Sequence, residues 1–301
     1  MDIQWYPGHM YKAGKEIKKS LHKIDLIIEV LDARIPFSSE NPMLRKLRGH
    51  KPCIKILNKS DLADPSITSQ WQEWLDKEKN MKTLSIDIKQ RQKIHQIPTL
   101  CHKLIPEKQD SSNGIRAMIM GIPNVGKSTL INSLAKRTIA KTGNEPAITK
   151  ALQRIEIGNN IILFDTPGML WPKIENRNSG YRLATTGAIR DTAIEHCDIA
   201  FFAADYLLKA YPEKLKSRYR LESLPETELE LLENIGKKRG CLRAGGEIDL
   251  DKVSKLFLKD LQQGSLAEIS FETPQIIDKE IEELTLLLQQ KQKSVQQRNS
   301  K

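Results

Sequence analysis

The sequence predicts an α/β fold in which a mostly parallel sheet is followed by a small all-helical domain. Apolar, β-branched runs alternate with helical stretches through the first half of the chain, as in doubly wound folds. Five of these runs are continuous enough to be strands buried on both faces, and they span residues 25–33, 53–57, 82–86, 116–121 and 160–165. A sixth run, 152–157, is joined to the last of them through Gly158-Asn159, which predicts a hairpin.

The second half of the chain has a different apolar pattern. Helix candidates between the strands include residues 68–79 and 127–135, but beyond about Ser179 apolar residues recur mainly at spacings of three and four. In that part Pro225 suits the first turn of a helix, and Gly264 suits a helix stop. We therefore predict three segments: a sheet domain at 1–178, a helical domain at 179–290, and a polar tail at 291–301 that frays into solvent.

Composition is that of a globular protein with a strong positive charge. Of 301 residues, 39% are hydrophobic and 29% are charged, and no run approaches the roughly 18 apolar residues of a membrane span. The first residues resemble neither a signal peptide nor a transit peptide, so we expect a cytoplasmic protein that does not contact membranes. The four cysteines form no CxxC pair, which argues against zinc and disulfides. The net charge of +10 favours partners that carry phosphate, although many basic proteins bind nothing specific.

The stretch "GIPNVGKST", residues 121–129, has the spacing of a phosphate-binding loop. It follows an apolar strand directly and opens a helix, which is the context that such a loop requires; the other reading is a Gly-rich turn with a surface lysine. The glycines let backbone N–H groups converge on the β-phosphate, Lys127 reaches the β and γ oxygens, and the Ser128 hydroxyl can ligate Mg²⁺. The predicted nucleotide contacts here are Pro123, Asn124, Val125, Gly126, Lys127, Ser128 and Thr129, and Lys127 is also a candidate catalytic residue.

A second motif, "DTPG", ends the last predicted strand. Asp165 at the strand tip can hold the metal through water, and Gly168 is placed to donate its N–H to the γ-phosphate. Between the two motifs, Thr149 is the preferred candidate for a second Mg²⁺ hydroxyl ligand, and Thr142 is the alternative.

The tetrapeptide "NKSD" follows the strand at 53–57, where α/β sheets bind ligands. Asp61 can accept from the guanine N1–H and exocyclic amine together, a pair that adenine does not present, and the Lys59 stem can cover the ring. The predicted base contacts are Asn58, Lys59, Ser60 and Asp61, followed by Ser85, Ile86 and Asp87 at the end of the next strand. Those last three residues could donate backbone N–H to guanine O6, or they could simply end the strand.

These elements stand in the order base, base, phosphate, switch, switch, whereas an ordinary GTPase has the phosphate loop first. The polar linker at 106–114 separates the two halves. If this linker joins what would be the two ends of a standard domain, all five elements assemble into one GTP site. Because the ends of compact domains often lie close together, the sequence predicts a circularly permuted GTPase.

The chain resembles the YlqF/RbgA family of circularly permuted GTPases, which assist late assembly of the large ribosomal subunit. The resemblance covers nearly the whole chain and rests on "WYPGHM" (5–10), "VLDARIPFSSENP" (30–42), "NKSD", "GIPNVGKST" and "DTPGML", in that order. It implies GTP hydrolysis with Mg²⁺, stimulation by the ribosomal particle, and rRNA contacts from the helical domain. A GTP-bound protein would bind a nearly finished large subunit and leave on hydrolysis; the alternative is a nucleotide-regulated RNA-binding module whose hydrolysis is incidental.

One departure from ordinary GTPases concerns the attacking water. Met169 and Leu170 occupy the positions where a water-orienting glutamine is usual, and neither can hydrogen-bond water. The family resemblance points instead to His9 of "PGHM", which otherwise is a turn or RNA-contact residue. Asn124 resembles the asparagine that helps related GTPases to hold a potassium ion; otherwise it closes its own turn.

Two basic clusters are candidate contacts for RNA phosphates. The first places Lys12, Lys15, Lys19 and Lys23 at helical spacing, with Ile17, Leu21 and Ile24 on another face; the second comprises Lys237, Lys238, Arg239 and Arg243.

We expect a monomer. The chain continues from "DTPG" through Met169 and Trp171 into the helical domain, so loss of the γ-phosphate contact is predicted to reorient that domain.

Overall fold

A six-stranded sheet forms the centre of the protein. The computed structural model describes residues 3–108, 111, 113–135, 153–266 and 268–299. In chain order the strands are β1 (Leu26–Asp32), β2 (Cys53–Asn58), β3 (Met81–Ile86), β4 (Ile115–Met120), β5 (Gln153–Gly158) and β6 (Ile161–Asp165). Across the sheet they lie in the order β3-β2-β1-β4-β6-β5. β5 pairs antiparallel with β6, and the other four pairings are parallel.

The predicted α/β class and its mostly parallel sheet are confirmed. Every residue of β1 and β2 is buried, as expected for strands that lie between two neighbours and are covered on both faces. β5 pairs only with β6 in the described sheet, and most of its residues are exposed, which is typical of an edge strand.

Twelve α-helices accompany the sheet in the described residues. They are α1 (Gly8–Ser20), α2 (Pro42–Arg48), α3 (Pro65–Leu75), α4 (Arg91–Ile94), α5 (Gln96–Leu104), α6 (Lys127–Ala135), α7 (Arg177–Thr185), α8 (His196–Ala210), α9 (Pro212–Tyr219), α10 (Glu228–Arg239), α11 (Leu250–Gln262) and α12 (Pro274–Asn299). None of the described helices is long and apolar enough to cross a membrane.

Side-chain caps fix where several of these helices begin. Asn41 and Asp64 accept hydrogen bonds from the first backbone N–H groups of α2 and α3, and each helix has a proline in its first turn. Thr227 caps α10 in the same way, so this helix begins at Glu228 and not at Pro225 as the sequence suggested. The prediction failed because proline suits a first turn, but the threonine hydroxyl supplies the hydrogen bond that starts the helix.

Helices α8, α10 and α11 pack together on apolar faces. Ile199 and Leu207 of α8 are buried, as are Ile235 of α10 and Val253 and Phe257 of α11. The proposed boundary between residues 178 and 179 lies in the first turn of α7 and remains a prediction. α12 continues as helix to Asn299, and fraying of the polar tail from residue 291 remains a prediction. The run of glutamine and lysine in this helix has good helix propensity.

A buried carboxylate ties the segment before α12 to the loop that follows β1. Glu272 is fully buried and accepts hydrogen bonds from the backbone N–H groups of Phe37, at 2.6 Å, and Ser38, at 3.0 Å. The Ser38 hydroxyl also donates to it, and the Arg182 guanidinium lies 3.5 Å away. Burial raises the pKa of Glu272, and Arg182 and the hydrogen bonds oppose that rise. This cluster fixes the C-terminal helices against the sheet.

Glu272→Ala should destabilise the protein strongly, because the backbone N–H groups of Phe37 and Ser38 and the Ser38 hydroxyl lose their acceptor. We expect the free energy of unfolding to fall by about 3 kcal/mol in urea titrations. Glu282→Ala, on the exposed side of α12, is the matched control and should change it by less than about 0.5 kcal/mol. Equal effects of the two substitutions would show that the cluster contributes little.

Candidate nucleotide-binding site

The predicted base and phosphate residues follow strands that end at the same edge of the sheet. β2 and β3 pair so that Asn58 lies opposite Ile86, and β4 and β6 pair so that Ile119 lies opposite Asp165. Because these strands are parallel and β1 lies between the two pairs, their carboxyl ends form one continuous edge. Open α/β sheets bind ligands at such an edge.

A direct hydrogen bond joins the tetrapeptide to the phosphate-binding loop. Asn58 Nδ2 donates to the backbone oxygen of Val125 at 2.6 Å, although the two residues are 67 positions apart. Gly126, with φ of +91°, lies so close that a Cβ atom there would be 2.3 Å from Asn58 Nδ2. Only glycine fits this position. The two halves of the predicted site are therefore in contact.

Lys59 is held by a buried carboxylate at the end of β1. Its Nζ lies 2.8 Å from Asp32 Oδ2, and its backbone has φ of +60°, which is uncommon for a residue with a side chain. Burial lowers the pKa of Lys59, and Asp32 opposes that shift. Burial alone would raise the pKa of Asp32, but the charges of Arg34 and Lys59 hold it well below its ordinary value. The lysine is thus fixed in place before any base is bound.

Asp61, the predicted guanine reader, is partly exposed beside the end of β3. It forms an ion pair with Lys89 at 3.4 Å, and because the Lys89 side chain is 84% exposed this pair is weak and easily displaced. Ser60 N donates to Ile86 O at 3.0 Å, so the second predicted base segment lies against the first. Asp87 Oδ1 accepts from Lys89 N at 2.9 Å and shapes the turn there. Ser85 lies in β3, opposite Leu57 of β2.

Lys127 is buried at the start of α6. Its Nζ donates to the carbonyl oxygens of Gly121, at 3.2 Å, and Ile122, at 3.1 Å. Burial lowers the pKa of this lysine to about 8, and Asp165 partly offsets the shift. A Cβ atom on Gly168 would lie 3.2 Å from Lys127 Nζ and 3.0 Å from Pro123 Cα, so the "DTPG" glycine packs directly against the phosphate-binding loop.

Asn124 connects the phosphate-binding loop to the turn after α7. It has φ of +59°, and its Nδ2 donates to the Gly187 carbonyl oxygen at 2.7 Å. The loop is therefore tied to the segment that leads into the C-terminal helices. Ser128 is partly buried, and Thr129 is exposed on α6.

The segment after "DTPG" packs against α1 and the start of α2. Met169 and Leu170 are fully buried. The Met169 carbonyl oxygen accepts from Asn41 Nδ2 at 2.8 Å, and Leu170 N lies 3.5 Å from the sulfur of Met10. His9 precedes Met10 in the first turn of α1 and is exposed, so the structure brings its backbone next to this segment.

Comparisons with known proteins agree with this geometry. A family model described as 50S ribosome-binding GTPase matches residues 116–238. Ribosome biogenesis GTPase A of Bacillus cereus is 47% identical over 291 residues, which cover 94% of this chain and 98% of that protein. The chain belongs to the ribosome biogenesis GTPase A family, also called YlqF/RbgA. It is therefore a circularly permuted GTPase that hydrolyses GTP and takes part in ribosome biogenesis.

Other relatives and a solved structure extend the match. The Thermotoga maritima protein of the same name is 30% identical, over 91% of this chain and 96% of that protein. The crystal structure of GNP-bound YlqF from T. maritima superimposes with a TM-score of 0.61 at 28% identity and covers 87% of this chain and 98% of that one. Mitochondrial ribosome-associated GTPase 1 of Mus musculus is 39% identical over 220 residues.

The residues present fit the Mg²⁺ that a ribosome biogenesis GTPase of this family is expected to use. Within the part of the chain that the structure describes, both carboxylate oxygens of Asp165 are buried without a hydrogen-bond partner, and burial raises the pKa of this group to about 6 despite the charge of Lys127. The described residues contain no group of three His, Cys, Asp or Glu side chains that would hold a metal. Mg²⁺ commonly uses one or two protein ligands together with substrate phosphates and waters, which suits Asp165 and Ser128. Thr149 lies outside the described residues.

Sequence reasoning missed three residues that position this GTPase site. Asp32 and Arg34 were noted only as part of a family stretch, and Asn41 likewise, yet they hold Lys59 and the Met169 carbonyl. The available signal was the polar pair Asp32 and Arg34 at the carboxyl end of a strand predicted to be buried. A buried aspartate at the carboxyl end of a central strand favours a role at the ligand edge.

The lowered pKa of Lys127 predicts that GDP binding takes up protons. At pH 8.5 the free lysine would be mostly neutral, and phosphate oxygens would restore its charge, so binding in Mg²⁺-free buffer should take up roughly 0.7 proton. At pH 6.5 the lysine is already charged, and this uptake should vanish. Calorimetry in buffers of different ionisation enthalpy measures the proton count.

Lys127→Arg serves as the control, because arginine stays protonated throughout this range. Proton uptake at pH 8.5 that persists in Lys127→Arg would assign the titration to another group.

Proposed function

We propose that this family member binds GTP across the edge formed by β2, β3, β4 and β6. The supporting observation is the Asn58–Val125 hydrogen bond, which brings the base-reading tetrapeptide to the phosphate-binding loop. Asp61 would read guanine, the Lys59 stem would cover the ring, and the ends of β2 and β3 would enclose the base. The nucleotide contacts of the proposal are Asn58, Lys59, Ser60, Asp61, Ser85, Ile86, Asp87, Pro123, Asn124, Val125, Gly126, Lys127, Ser128, Thr129 and Gly168.

The ions of the proposal sit at the phosphate end. Ser128, Asp165 and Thr149 would hold Mg²⁺, with Asp165 acting through water, and Asn124 would contribute to a potassium site. When bound, Mg²⁺ supplies charge that stabilises the phosphates during transfer. Lys127 would leave the carbonyl oxygens of Gly121 and Ile122 and donate to phosphate oxygens instead. The Gly168 N–H would donate to the γ-phosphate.

His9 would orient or deprotonate the attacking water. The side chains of Met169 and Leu170 are buried and apolar, so neither serves this purpose. His9 is exposed and adjacent in the chain to Met10, which touches Leu170. Imidazole is the side chain that most often serves as a general base in catalysis. Docking on a ribosomal particle would bring it into the site, and hydrolysis would then be stimulated by that particle.

The proposed partner is a late precursor of the large ribosomal subunit, contacted through rRNA. All four lysines of the first basic cluster, in α1 and the turn that follows it, are exposed. Ile17, Leu21 and Ile24 are buried on the other face. The second cluster is exposed around the end of α10, although two of its members have acidic neighbours, at 3.9 Å from Arg239 to Asp260 and 3.8 Å from Arg243 to Asp249. Surface pairs of this kind are weak and leave positive charge available.

Hydrolysis would release the protein through the chain that follows Gly168. Loss of the γ-phosphate contact would loosen Met169 and its hydrogen bond to Asn41, and the helical domain at 179–290 would then shift relative to the GTPase domain at 1–178. A monomer in the cytoplasm is part of the same proposal. The alternative is a nucleotide-regulated RNA-binding module for which hydrolysis is incidental.

Co-sedimentation with separated ribosomal particles tests the partner. The protein should pellet with large-subunit precursors in a GTP analogue, and much less with GDP or without nucleotide. Its binding should weaken steeply between 50 and 200 mM salt, as expected when several lysines meet phosphates. Mature small subunits are the control. Binding that ignores both nucleotide and salt would contradict the proposal.

Single-turnover hydrolysis on the isolated particle tests His9. Replacing His9 by Ala should slow hydrolysis by at least about 100-fold, since general-base catalysis contributes factors of that order. His22→Ala, also exposed in the N-terminal segment, should leave the rate unchanged. An unaltered rate in His9→Ala removes this residue from the mechanism, and normal subunit assembly by that slow variant would favour the RNA-binding alternative.

A further inference from the structure

The loop that follows the tetrapeptide, residues 62–64, contacts the C-terminal region. Directly after the tetrapeptide, the Leu62 carbonyl oxygen accepts from Ile269 N at 2.9 Å, and Asp64 N donates to Ser270 Oγ at 3.2 Å. The Tyr211 hydroxyl donates to Asp64 Oδ2 at 3.3 Å. These contacts join a loop of the nucleotide site to residues more than 140 positions later. The base end of the site is therefore in direct contact with the helical region.

A second connection runs through the buried Arg34. Its Nε and Nη2 donate to Asp32 Oδ1 and Oδ2 at 2.9 and 2.8 Å, which is a two-pronged arginine–carboxylate pair. Its Nη1 donates to the carbonyl oxygen of Leu261 in α11 at 2.9 Å, and its own carbonyl oxygen accepts from Phe271 N at 2.9 Å. Arg34 thus uses one guanidinium to hold both the end of β1 and a helix of the C-terminal region.

The same Asp32 carboxylate fixes Lys59. Asp32 Oδ2 accepts from both Arg34 Nη2 and Lys59 Nζ, each at 2.8 Å. Because the arginine determines how the carboxylate is oriented, it also determines where the lysine ammonium lies. A lysine held in this way loses less side-chain entropy when a base binds beneath its stem, so the arrangement favours binding.

We propose that Arg34 is a positioning residue for guanine-nucleotide binding, acting through Asp32 and Lys59, and that it couples the base end of the site to docking of the C-terminal helices. The proposal rests on the proposed role of Lys59 in covering the guanine ring. Coupling is reciprocal: if the docked helices favour base binding, bound nucleotide must favour docking by the same factor. This route is separate from the γ-phosphate and Met169, so it operates with GDP as well as GTP.

A double-mutant cycle tests the coupling by GDP affinity. Arg34→Lys keeps a positive charge but loses the paired hydrogen bonds and the contact to Leu261, and it should raise the Kd for GDP roughly tenfold. Lys59→Ala should also weaken GDP binding. When Lys59 is already Ala, Arg34→Lys should change the Kd by less than about twofold, because its route to the base is gone. Calorimetric stoichiometry reports the fraction of folded, binding-competent protein.

Arg48→Lys is the matched control. Arg48 is also buried and also pairs with a carboxylate, that of Glu78 at 2.5 Å, but it lies at the end of α2 and pairs with neither Asp32 nor Lys59. It should leave the Kd for GDP unchanged within twofold. If Arg48→Lys weakens GDP binding as much as Arg34→Lys does, or if Arg34→Lys has its full effect without Lys59, the role of Arg34 is general stability and the proposal is overturned.

Hydrogen exchange of the unmodified protein gives a second test that needs no variant to fold. GDP should slow exchange of the Ile269 and Phe271 amides, which donate to Leu62 and Arg34. Unchanged exchange at both amides would overturn the coupling.

The variants distinguish failure of this proposal from failure of the proposed base contact. A normal Kd for GDP in Lys59→Ala would show that the base contact itself is wrong. A raised Kd in Lys59→Ala together with a normal Kd in Arg34→Lys would overturn the role of Arg34 and leave the base contact standing. Neither measurement involves a ribosomal particle.

Discussion

The hydrogen bond from Asn58 to the Val125 carbonyl oxygen is the contact on which the nucleotide site depends. It joins two loops that the chain order separates, and it does so at the edge where five parallel strands end. It brings the predicted base-reading residues and the predicted phosphate-binding loop into direct contact. The absence of a Cβ atom at Gly126 is what permits the approach.

Two of the buried charged groups, Lys127 and Asp165, lie in the candidate site, where their burial costs stability. Lys127 and Asp165 are both desolvated, and the pKa of each is shifted toward its neutral form. Stable proteins usually bury charges only in pairs or with hydrogen bonds. Asp32 and Glu272 follow that rule, since each has several donors, whereas the oxygens of Asp165 have none among the described residues. The contrast separates structural carboxylates from one prepared for a ligand.

Much of the fold followed from the sequence because its signals are local. The six strands were predicted within one or two residues, since buried parallel strands are continuous apolar runs, and α6 was predicted at its observed bounds. The start of α10 and the helical character of residues 291–299 were missed. In both places the sequence has competing local preferences. At the start of α10, Pro225 suits a first turn but Thr227 supplies the cap. At residues 291–299, the polar side chains favour solvation but also have good helix propensity.

The candidate site was predictable where motifs carry the chemistry and not where tertiary contacts do. Asn58 and Lys127 belong to motifs whose residue spacing follows from the way a nucleotide is bound. Asp32, Arg34 and Asn41 act by touching residues far away in the chain, and no spacing rule encodes a contact such as Arg34 to Leu261. The Asn58 amide occupies the volume that a side chain at position 126 would need. The positive φ of Gly126 gives a second, independent reason for glycine there, so a smaller residue at position 58 would not by itself make room for a side chain at position 126.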